Sequence, residues 1–377
     1  MRWGLCYAIV ETLLVTSSIA GDANKEGLDV VKTVTLPNGQ VIDWVRRESQ
    51  GEIAHPPPSS SFVKSAKLAV QHAFDDNTRG PEGTVPILRD SGISMPKKLP
   101  PSSSKKSSRI YPRQNQGQHW YVSTSEVVDN NGGSASLSMF KAYVQSSGDF
   151  SLLQTAVIRE PSGGSVPIQT LEAGWINYPD QVRNPHLFTF FTTNGYGQSG
   201  DYIGGWNTDQ RGWVQVDNSI YPGIELSPLS VVGGDQHELQ IRYNLHNGSW
   251  WLGINDKWVG YYPANLYSQG GNDPSDTLES KANQINWYGE IYQSESALTT
   301  TDMGSGHFAK DGYGKAAYFH NLIYTDTSGR DQTYDGSRGT IISDAKRYTI
   351  DAHWNTAEAW GSYFFLGGPG AGGKIGG

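Results

Sequence analysis

Short runs of apolar and aromatic residues, each followed by a glycine-rich or polar corner, recur through residues 119–377. Such runs have the length of β-strands, and aromatic side chains pack well on a pleated surface. No long segment between them has the 3.6-residue period of a helix. The pattern therefore predicts an all-β domain, either a sandwich or a closed barrel. The twelve predicted strands are 120–122, 135–144, 152–158, 170–178, 187–192, 212–216, 237–244, 250–254, 258–262, 285–292, 316–325 and 348–354.

The segment before this domain has a different pattern. Residues 30–45 predict a β-hairpin with Asn38-Gly39 at its corner, and the apolar spacing of residues 62–74 fits a short helix. Residues 95–117 are rich in proline, serine and lysine, a composition that cannot pack a core and is accessible to proteases. We therefore predict a small mixed domain at 21–117, which ends in this linker, and a main domain at 118–377.

The first twenty residues predict a secretory signal peptide. Arg2 supplies a positive start, residues 3–19 are mostly apolar, and small residues precede a cleavage site after Ala20. The apolar run is too short for a membrane span, and no other stretch qualifies. The single cysteine, Cys6, lies inside this signal, so a secreted mature chain would contain no disulfide and no cysteine-bound metal. Asn247-Gly248-Ser249 forms an N-glycosylation sequon.

The charge is unevenly distributed along the chain. Residues 21–118 contain 14 Lys and Arg against 10 Asp and Glu, whereas residues 119–377 contain 14 against 26. An acidic main domain argues against nucleic acid as a partner. A basic N-terminal piece could be attracted to the acidic domain and released in acid, or the asymmetry could serve solubility alone.

Several catalytic arrangements are absent from the sequence. There is no His-Glu-x-x-His stretch, no metal-ligand spacing of histidines, no Gly-x-Ser-x-Gly elbow and no phosphate-binding glycine loop. We therefore expect no metal and no cofactor.

Two glutamates stand out because each lies within an apolar, aromatic strand. Glu172 precedes Ala173-Gly174-Trp175, and Glu290 follows Trp287-Tyr288-Gly289. Burial raises the pKa of a carboxyl group, and a second carboxylate nearby raises one pKa further, so one member can stay protonated while the other acts as a base. Strand alternation places Tyr178 on the face of Glu172, and Tyr288 and Tyr292 on the face of Glu290.

The residues alone leave two interpretations of these glutamates open. Each could instead face water on a half-solvated sheet, and most of the tryptophans and tyrosines could belong to the core. On that basis the sequence indicates a secreted all-β protein with an unusual pair of carboxylates.

The chain resembles the neprosin family of glutamic peptidases. The resemblance covers nearly the whole chain after the signal and is carried by short motifs that are specific when taken together. These are residues 32–43, 80–87, 172–175, 190–193, 251–254, 259–263, 287–291, 303–308 and 314–318.

The resemblance implies a catalytic pair, Glu172 and Glu290, in the concave face of an antiparallel β-sandwich of two stacked, curved sheets. It also implies an N-terminal prosegment removed in acid, and cleavage next to proline as a possible preference. The predicted protein is thus a secreted, acid-acting glutamic endopeptidase, made as a zymogen that its own propeptide inhibits, acting as a monomer on peptides or proteins. Tyr178, Tyr288 and Tyr292 are candidates for lining the substrate subsites.

The chain also departs from the family pattern, because Gly80 stands where plant relatives usually have cysteine. Two other functional classes stay open: a secreted carbohydrate-binding β-sandwich with exposed tryptophans, and a glycoside hydrolase that uses the same two carboxylates.

Overall fold

The computed structural model describes residues 27–58, 74–90, 92, 117–161, 167–196, 204–269 and 271–377. The predicted signal peptide, the predicted helix up to residue 73 and the linker before Gly117 lie outside these residues. The described helical segments are short 3-10 turns at Arg47–Gln50, Ala264–Ser268, Pro274–Asp276 and Ala309–Asp311. None of the helices in these ranges is long and apolar enough to cross a membrane.

The described part of the chain is built from nineteen strands. They are β1 (Val30–Thr35), β2 (Val41–Arg46), β3 (Thr84–Leu88), β4 (Gln118–Glu126), β5 (Asn130–Ser138), β6 (Phe150–Arg159), β7 (Gln169–Tyr178), β8 (Val182–Thr192), β9 (Gly205–Trp206), β10 (Val214–Gln215), β11 (Glu238–His246), β12 (Ser249–Ile254), β13 (Lys257–Pro263), β14 (Gln284–Gln293), β15 (Ala317–Asp326), β16 (Asp331–Thr333), β17 (Thr340–Ile342), β18 (Thr349–His353) and β19 (Tyr363–Gly367).

These strands form three antiparallel sheets. A small sheet has the order β1-β2-β3, and a seven-stranded sheet has the order β17-β4-β14-β6-β7-β8-β9. The third sheet runs β10-β13-β12-β11-β5-β15-β19-β18, with β16 paired to β15. The all-β prediction is confirmed, and the two large sheets pack as a sandwich.

Residue alternation explains why the two large sheets stack. On β14, Ile285, Trp287 and Ile291 point into the main core, as Leu171, Ala173 and Trp175 do on β7. The opposite sheet contributes side chains such as Leu137, Ile241 and Phe319 to the same core. The alternate positions on the seven-stranded sheet, which include both glutamates, therefore face away from the inter-sheet core.

The N-terminal sheet contains the predicted hairpin. β1 pairs with β2, and Gly39 takes the positive φ of +88° that the corner requires. Gly80 lies against Trp44 so closely that a Cβ atom would come within 2.2 Å of the ring. This contact leaves no room for a side chain at position 80.

Hydrogen bonds between neutral groups join this small sheet to the sandwich. Gln50 and Gln215 form a reciprocal pair, in which the Gln50 amide donates to the Gln215 carbonyl at 2.8 Å and accepts from its N–H at 2.9 Å. Gln40 donates to the Gly223 carbonyl at 2.7 Å, and the Thr208 hydroxyl donates to the Leu88 carbonyl at 2.7 Å. These bonds fix the orientation of the small sheet on the sandwich. Whether the chain is cut between the two parts stays a prediction.

Some strand boundaries differ from the sequence-based prediction. The strand predicted at 135–144 lies at 130–138. Its start was missed because residues 130–134 have weak strand propensity. It ends at Ser138, because the backbone of Met139 bonds instead to the loop residues Ser230 and His237. The strand predicted at 212–216 is only two residues long. The short strands β3, β9, β16, β17 and β19 were not predicted, since two to five residues carry too little periodicity to identify.

Asp302 makes the stability of the fold depend on pH. Its carboxyl group is buried, with one oxygen accepting from the Gly376 N–H at 3.1 Å, and burial raises its pKa to about 7. Because the folded-state pKa lies above the unfolded value, this group stabilises the fold below about pH 4 and loses that contribution as the pH rises through 7.

We expect Asp302→Asn, which resembles the protonated acid, to stabilise the protein at pH 8 by on the order of 2–3 kcal/mol and to change little at pH 4.

Urea unfolding at pH 4 and pH 8 measures this difference in the free energy of unfolding. Asp256→Asn is the matched control, because Asp256 is exposed in the turn between β12 and β13. An equal effect of Asp302→Asn at both pH values would show that the carboxyl group does not titrate in this way.

Candidate active site

The two predicted glutamates lie on the same face of the seven-stranded sheet. β6 runs between β14 and β7, with Glu290 opposite Leu152 and Glu172 opposite Ala156. Gln154 occupies the intervening position of β6 and faces Tyr288 on one side and Gly174 on the other. Directly opposed residues point to one face of an antiparallel sheet, so these side chains share a surface. Both glutamates are 0% exposed, which excludes the alternative that they face water on a half-solvated sheet.

Four hydrogen-bond donors converge on the Glu172 carboxylate. Oε2 accepts from the Gln154 amide at 2.7 Å and from the Tyr288 hydroxyl at 3.2 Å. Oε1 accepts from the Thr170 hydroxyl at 2.9 Å and from the Tyr196 hydroxyl at 2.5 Å. A buried carboxylate requires such partners, and together they fix its orientation in the sheet. From the opposite side of the sheet, the Tyr243 hydroxyl donates to the Glu172 backbone carbonyl at 2.9 Å.

Two tyrosines connect the glutamates electrostatically. Burial raises the pKa of Tyr288 well above its usual value, and the charges of Glu172 and Glu290 raise it further. Burial also raises the pKa of Tyr196, with contributions from Glu172 and, more weakly, from Glu290. Both phenols are therefore protonated and can donate hydrogen bonds. Because Tyr288 lies two residues from Glu290 on β14 and donates to Glu172, the two glutamates belong to one site.

Glu290 has a different kind of partner. Its Oε1 lies 2.6 Å from Nδ1 of His119, and both side chains are buried. The His119 ring also contacts Tyr292 at a centroid distance of 5.0 Å and lies parallel to Tyr121 at 6.1 Å. Among the described contacts, Glu172 accepts from neutral donors, whereas Glu290 contacts an ionisable imidazole.

The three predicted subsite tyrosines occupy two different environments. Tyr178 and Tyr292 both contact Phe150, at centroid distances of 6.1 and 5.4 Å, and belong to an aromatic cluster on the glutamate face. The cluster also contains Leu152, Ile176, Phe188, Phe190, Trp206 and Tyr196. Tyr288 is fully buried, and its hydroxyl group donates a hydrogen bond to Glu172. The structure therefore places Tyr288 between the glutamates rather than in the aromatic cluster. The subsite roles of all three tyrosines stay predictions.

Sequence reasoning did not identify Gln154, His119, Thr170 or Tyr196 as part of the site. Gln154 could have been found, because a glutamine at an alternate position of a strong apolar strand predicts a polar partner on that face. His119 directly precedes a predicted strand. Tyr196 lies in a loop after β8, where the sequence pattern does not indicate which way a side chain points.

The arrangement can support acid–base chemistry. Two buried carboxylates on one face, with protonated hydroxyl groups and an amide between them, offer a proton acceptor, a proton donor and neutral hydrogen-bond donors. Within the described ranges, no group of three or more His, Cys, Asp or Glu residues has a geometry that could hold a metal ion.

The glycosylation sequon lies far along the chain from these residues, at the turn between β11 and β12. Asn247 is exposed and has a φ of +48°, and Gly248 follows with a φ of +72°. The position is accessible to a modifying enzyme. The modification itself stays a prediction.

The chain belongs to the neprosin family, whose sequence profile matches residues 147–369. The matched range contains both glutamates, Gln154 and the two strands on either side of it, whereas His119 precedes it.

The solved structures that the chain matches include two peptidases and a lyase. A scytalido-glutamic peptidase bound to a peptide-based transition-state analogue is 9% identical, with a TM-score of 0.29, over 67% of this chain and 98% of that one. SCP-B, a member of the eqolisin family of peptidases in complex with a tripeptide, is 10% identical, with a TM-score of 0.29, over the same shares. An alginate lyase of polysaccharide lyase family 7 is 10% identical, with a TM-score of 0.21, over 70% of this chain and 80% of that one. None of these values is high enough to transfer an activity.

Gly174 controls how closely β7 approaches β6 beside the site. A Cβ atom at this position would lie 1.9 Å from the Leu153 carbonyl oxygen and 2.8 Å from Cβ of Gln154. The backbone oxygen cannot move without separating the strands. We therefore expect Gly174→Ala to destabilise the fold by about 3 kcal/mol and to displace the Gln154 amide from Glu172. Urea unfolding and a crystal structure of the variant measure the two effects.

Gly234→Ala is the control for this substitution. Gly234 is exposed, and the nearest atom to an added Cβ, on Val231, would be 3.3 Å away. If both variants unfold at the same urea concentration, the contact between β6 and β7 is not as tight as this geometry requires.

Proposed function

We propose that this protein is a glutamic endopeptidase, with Glu172 and Glu290 as its catalytic carboxylates. The observation that carries the proposal is that the two glutamates are buried on one face of the sheet, and that Tyr288, two residues from Glu290 on β14, donates a hydrogen bond to Glu172. Membership of the neprosin family supports the same reaction class, and its matched range includes both residues.

In the proposed mechanism, the ionised member of the pair takes a proton from a water molecule, whose oxygen attacks the peptide carbonyl carbon. The protonated member donates its proton to the carbonyl oxygen, so the tetrahedral intermediate forms without a bare oxyanion. When the C–N bond breaks, the first carboxyl group returns its proton to the amine, and the second recovers its proton as the carbonyl re-forms. The pair ends in its starting state, and no covalent intermediate forms.

Acid conditions follow from this mechanism, because the reaction requires one protonated carboxyl group. Activity is therefore expected to fall as the pH rises towards neutrality.

Substrate would lie across the glutamate face as an extended peptide. The aromatic cluster around Phe150 offers flat apolar surfaces beside the carboxylates, and proline rings stack well on such surfaces. The cluster therefore supports a preference for cleavage next to proline.

We further propose that the chain is a secreted, monomeric zymogen. The small N-terminal sheet is the folded part of the prosegment, and neutral hydrogen bonds such as the Gln50–Gln215 pair hold it on the sandwich. Cleavage within the linker at 95–117 would separate the two parts, because its composition is typical of accessible segments.

The central prediction concerns the two glutamates. We expect Glu172→Gln and Glu290→Gln each to fold and to lower the rate of peptide hydrolysis at least about 100-fold, since each removes a proton acceptor or donor from the transition state. The measurement is digestion of reduced, denatured protein between pH 2 and pH 7, with the products sequenced by mass spectrometry. The cleaved positions then show whether proline is preferred.

Glu126→Gln is the matched control, because Glu126 is partly buried at the end of β4 in the same sheet and lies outside the hydrogen-bond network of the site. It should retain the wild-type rate. Wild-type rates in both site variants would mean that the pair is structural. Assays for oligosaccharide binding and for release of reducing sugars would then test the two other classes.

The zymogen proposal predicts a change in mass on acidification. The secreted wild-type chain should lose about 95 residues by cleavage near the linker, because a proline-, serine- and lysine-rich composition is typical of segments that proteases cut. Intact-mass spectrometry at pH 7 and pH 3 measures the loss. Full activity of a chain that keeps residues 21–117 would contradict this proposal and leave the glutamate assignment unaffected.

A further inference from the structure

Tyr196 contacts the Glu172 carboxylate from a turn beside the sheet. Its hydroxyl group donates to Oε1 of Glu172 at 2.5 Å and lies 3.3 Å from the Thr170 hydroxyl. Its ring lies parallel to that of Phe190 at a centroid distance of 5.7 Å, and Phe190 is directly opposite Glu172 on β8. Opposed residues share one face of an antiparallel sheet, so the Tyr196 ring lies on the glutamate face. Tyr196 is half-buried, whereas Glu172 is fully buried.

The hydrogen-bond partners of Glu172 occupy both of its carboxylate oxygens. A carboxylate has about four lone-pair positions, two on each oxygen. Gln154 and Tyr288 donate to Oε2, and Thr170 and Tyr196 donate to Oε1. An anionic Glu172 is therefore saturated, and a protonated Glu172 would direct its proton to a hydroxyl group among the same partners. In either state, Glu172 reaches a water molecule or a peptide carbonyl only after a partner has moved away.

Of these four donors, Tyr196 is the one that a substrate can displace. Gln154, Thr170 and Tyr288 lie within β6, β7 and β14, each of which is paired with a neighbouring strand on both sides. Tyr196 lies in the turn that follows β8. Because its side chain is partly exposed, a peptide on the glutamate face would meet the phenol before it meets the buried carboxylate.

The backbone of this turn holds Tyr196 in an unusual conformation. Tyr196 has a φ of +65°, which a bulky L-residue rarely adopts, and it follows Gly195 with a φ of +67°. The Thr192 hydroxyl accepts from the N–H groups of Asn194 at 3.2 Å and Tyr196 at 3.1 Å. Conformations of this kind persist where the surrounding structure enforces them, and they cluster at functional sites. The turn thus presents the phenol to Glu172 although tyrosine itself favours another backbone conformation.

We propose that Tyr196 is a catalytic residue that exchanges hydrogen-bond partners when substrate binds. Its hydroxyl group leaves Oε1 of Glu172 and donates to the carbonyl oxygen of the scissile peptide bond. One movement therefore frees the carboxyl group and supplies a donor to the oxygen on which negative charge develops. This inference rests on the proposed peptidase function and adds a residue to its mechanism. It holds whichever glutamate acts as the acid.

The phenol is suited to this role because it keeps its proton. Burial raises the pKa of Tyr196 well above its usual value, and the charge of Glu172 raises it further. What Tyr196 passes from Glu172 to the substrate is therefore a hydrogen bond and not a proton. The proton transfers of the mechanism stay with the two carboxyl groups.

Two substitutions separate the hydroxyl group from the ring and the turn. Tyr196→Phe keeps the ring on Phe190 and removes only the donor. Tyr196→Asn removes the ring as well, and asparagine tolerates the left-handed backbone. We expect each to lower kcat about 100-fold, with KM within about threefold of wild type, because the lost bond acts mainly in the transition state.

These rates are measured on a quenched fluorogenic peptide built around a bond that the wild type cleaves. The full chain is used after acid treatment, and circular dichroism is recorded for each variant. Wild-type kcat in both folded variants would overturn the proposal.

Thr170→Val tests whether Tyr196 only holds Glu172 in place. Both residues donate to the same carboxylate oxygen, but Thr170 is fixed within β7. Exchange predicts a loss of kcat about tenfold smaller in Thr170→Val than in Tyr196→Phe. An equal or larger loss in Thr170→Val would attribute both effects to the orientation of Glu172 and overturn the exchange.

Binding of a tetrahedral mimic reports the contact with substrate directly. A peptide with a secondary alcohol in place of the scissile carbonyl is compared, by inhibition constants, with the same peptide that has a methylene group there. The alcohol should bind the wild type about tenfold more tightly than the methylene peptide. This ratio should fall at least about threefold in Tyr196→Phe and keep its wild-type value in Thr170→Val. An unchanged ratio in Tyr196→Phe would overturn the proposed contact.

Tyr318 provides a matched control, because it is another buried tyrosine whose hydroxyl group donates to a glutamate. It contacts Glu238 at 2.9 Å in the opposite sheet. Tyr318→Phe should keep the wild-type kcat and the wild-type ratio of inhibition constants. A similar loss of kcat in Tyr196→Phe and Tyr318→Phe would attribute the effect to stability and overturn the proposal.

The outcomes also separate this inference from the proposed function. Wild-type kcat in Tyr196→Phe, with Glu172→Gln and Glu290→Gln inactive, would overturn the role of Tyr196 and leave the peptidase intact. Wild-type activity in both glutamate variants would overturn the proposed function itself, and the inference with it. If Tyr196→Phe does not fold, Tyr196→Asn and its ratio of inhibition constants decide the question.

Discussion

Burial of both faces of the seven-stranded sheet is the constraint on which the rest of the structure depends. One face packs on the opposite sheet, and the other contains Glu172 and Glu290 at zero exposure. A carboxylate in such a place destabilises the fold unless polar groups compensate for the lost water. The sheet therefore supplies compensating groups from neighbouring strands, and the positions of those groups define the site.

The strand order determines how that compensation is arranged. β6 lies between the two glutamate strands, and its residue Gln154 reaches Glu172 while it lies opposite Tyr288. Tyr288 is two residues from Glu290 along β14, so one strand carries one carboxylate and a donor to the other. The two glutamates are coupled through the sheet itself rather than through a flexible loop. Rigid support of this kind is what a precise acid–base pair requires.

Much of the fold could be predicted from the sequence, because its strands have strong apolar alternation. The strands around Glu172 and Glu290 were predicted within one or two residues of their observed bounds, and alternation placed each glutamate on the face opposite Trp175 or Trp287. The N-terminal hairpin was predicted from Asn38-Gly39. The strands that were missed are two to five residues long and depend on pairing with distant segments, which local patterns do not report.

The site was predictable only in part, for a physical reason. A buried carboxylate in an aromatic strand is visible in a sequence, and the likeness of two such strands suggested a pair. The partners of those carboxylates come from other strands and loops, as His119 and Tyr196 do, and their identity depends on strand order and register. Neither quantity follows from the alternation of a single strand.

The hydrogen bonds of the small N-terminal sheet bear on how the sandwich would behave if that sheet were removed. β10 is the last strand of the larger sheet, and the reciprocal amide pair of Gln50 and Gln215 occupies its outer edge. Departure of the N-terminal part would return these neutral groups to water at little electrostatic cost and would uncover that edge. An uncovered strand edge is a template for pairing with another chain, and long edges promote aggregation. At two residues, β10 is too short to serve as such a template.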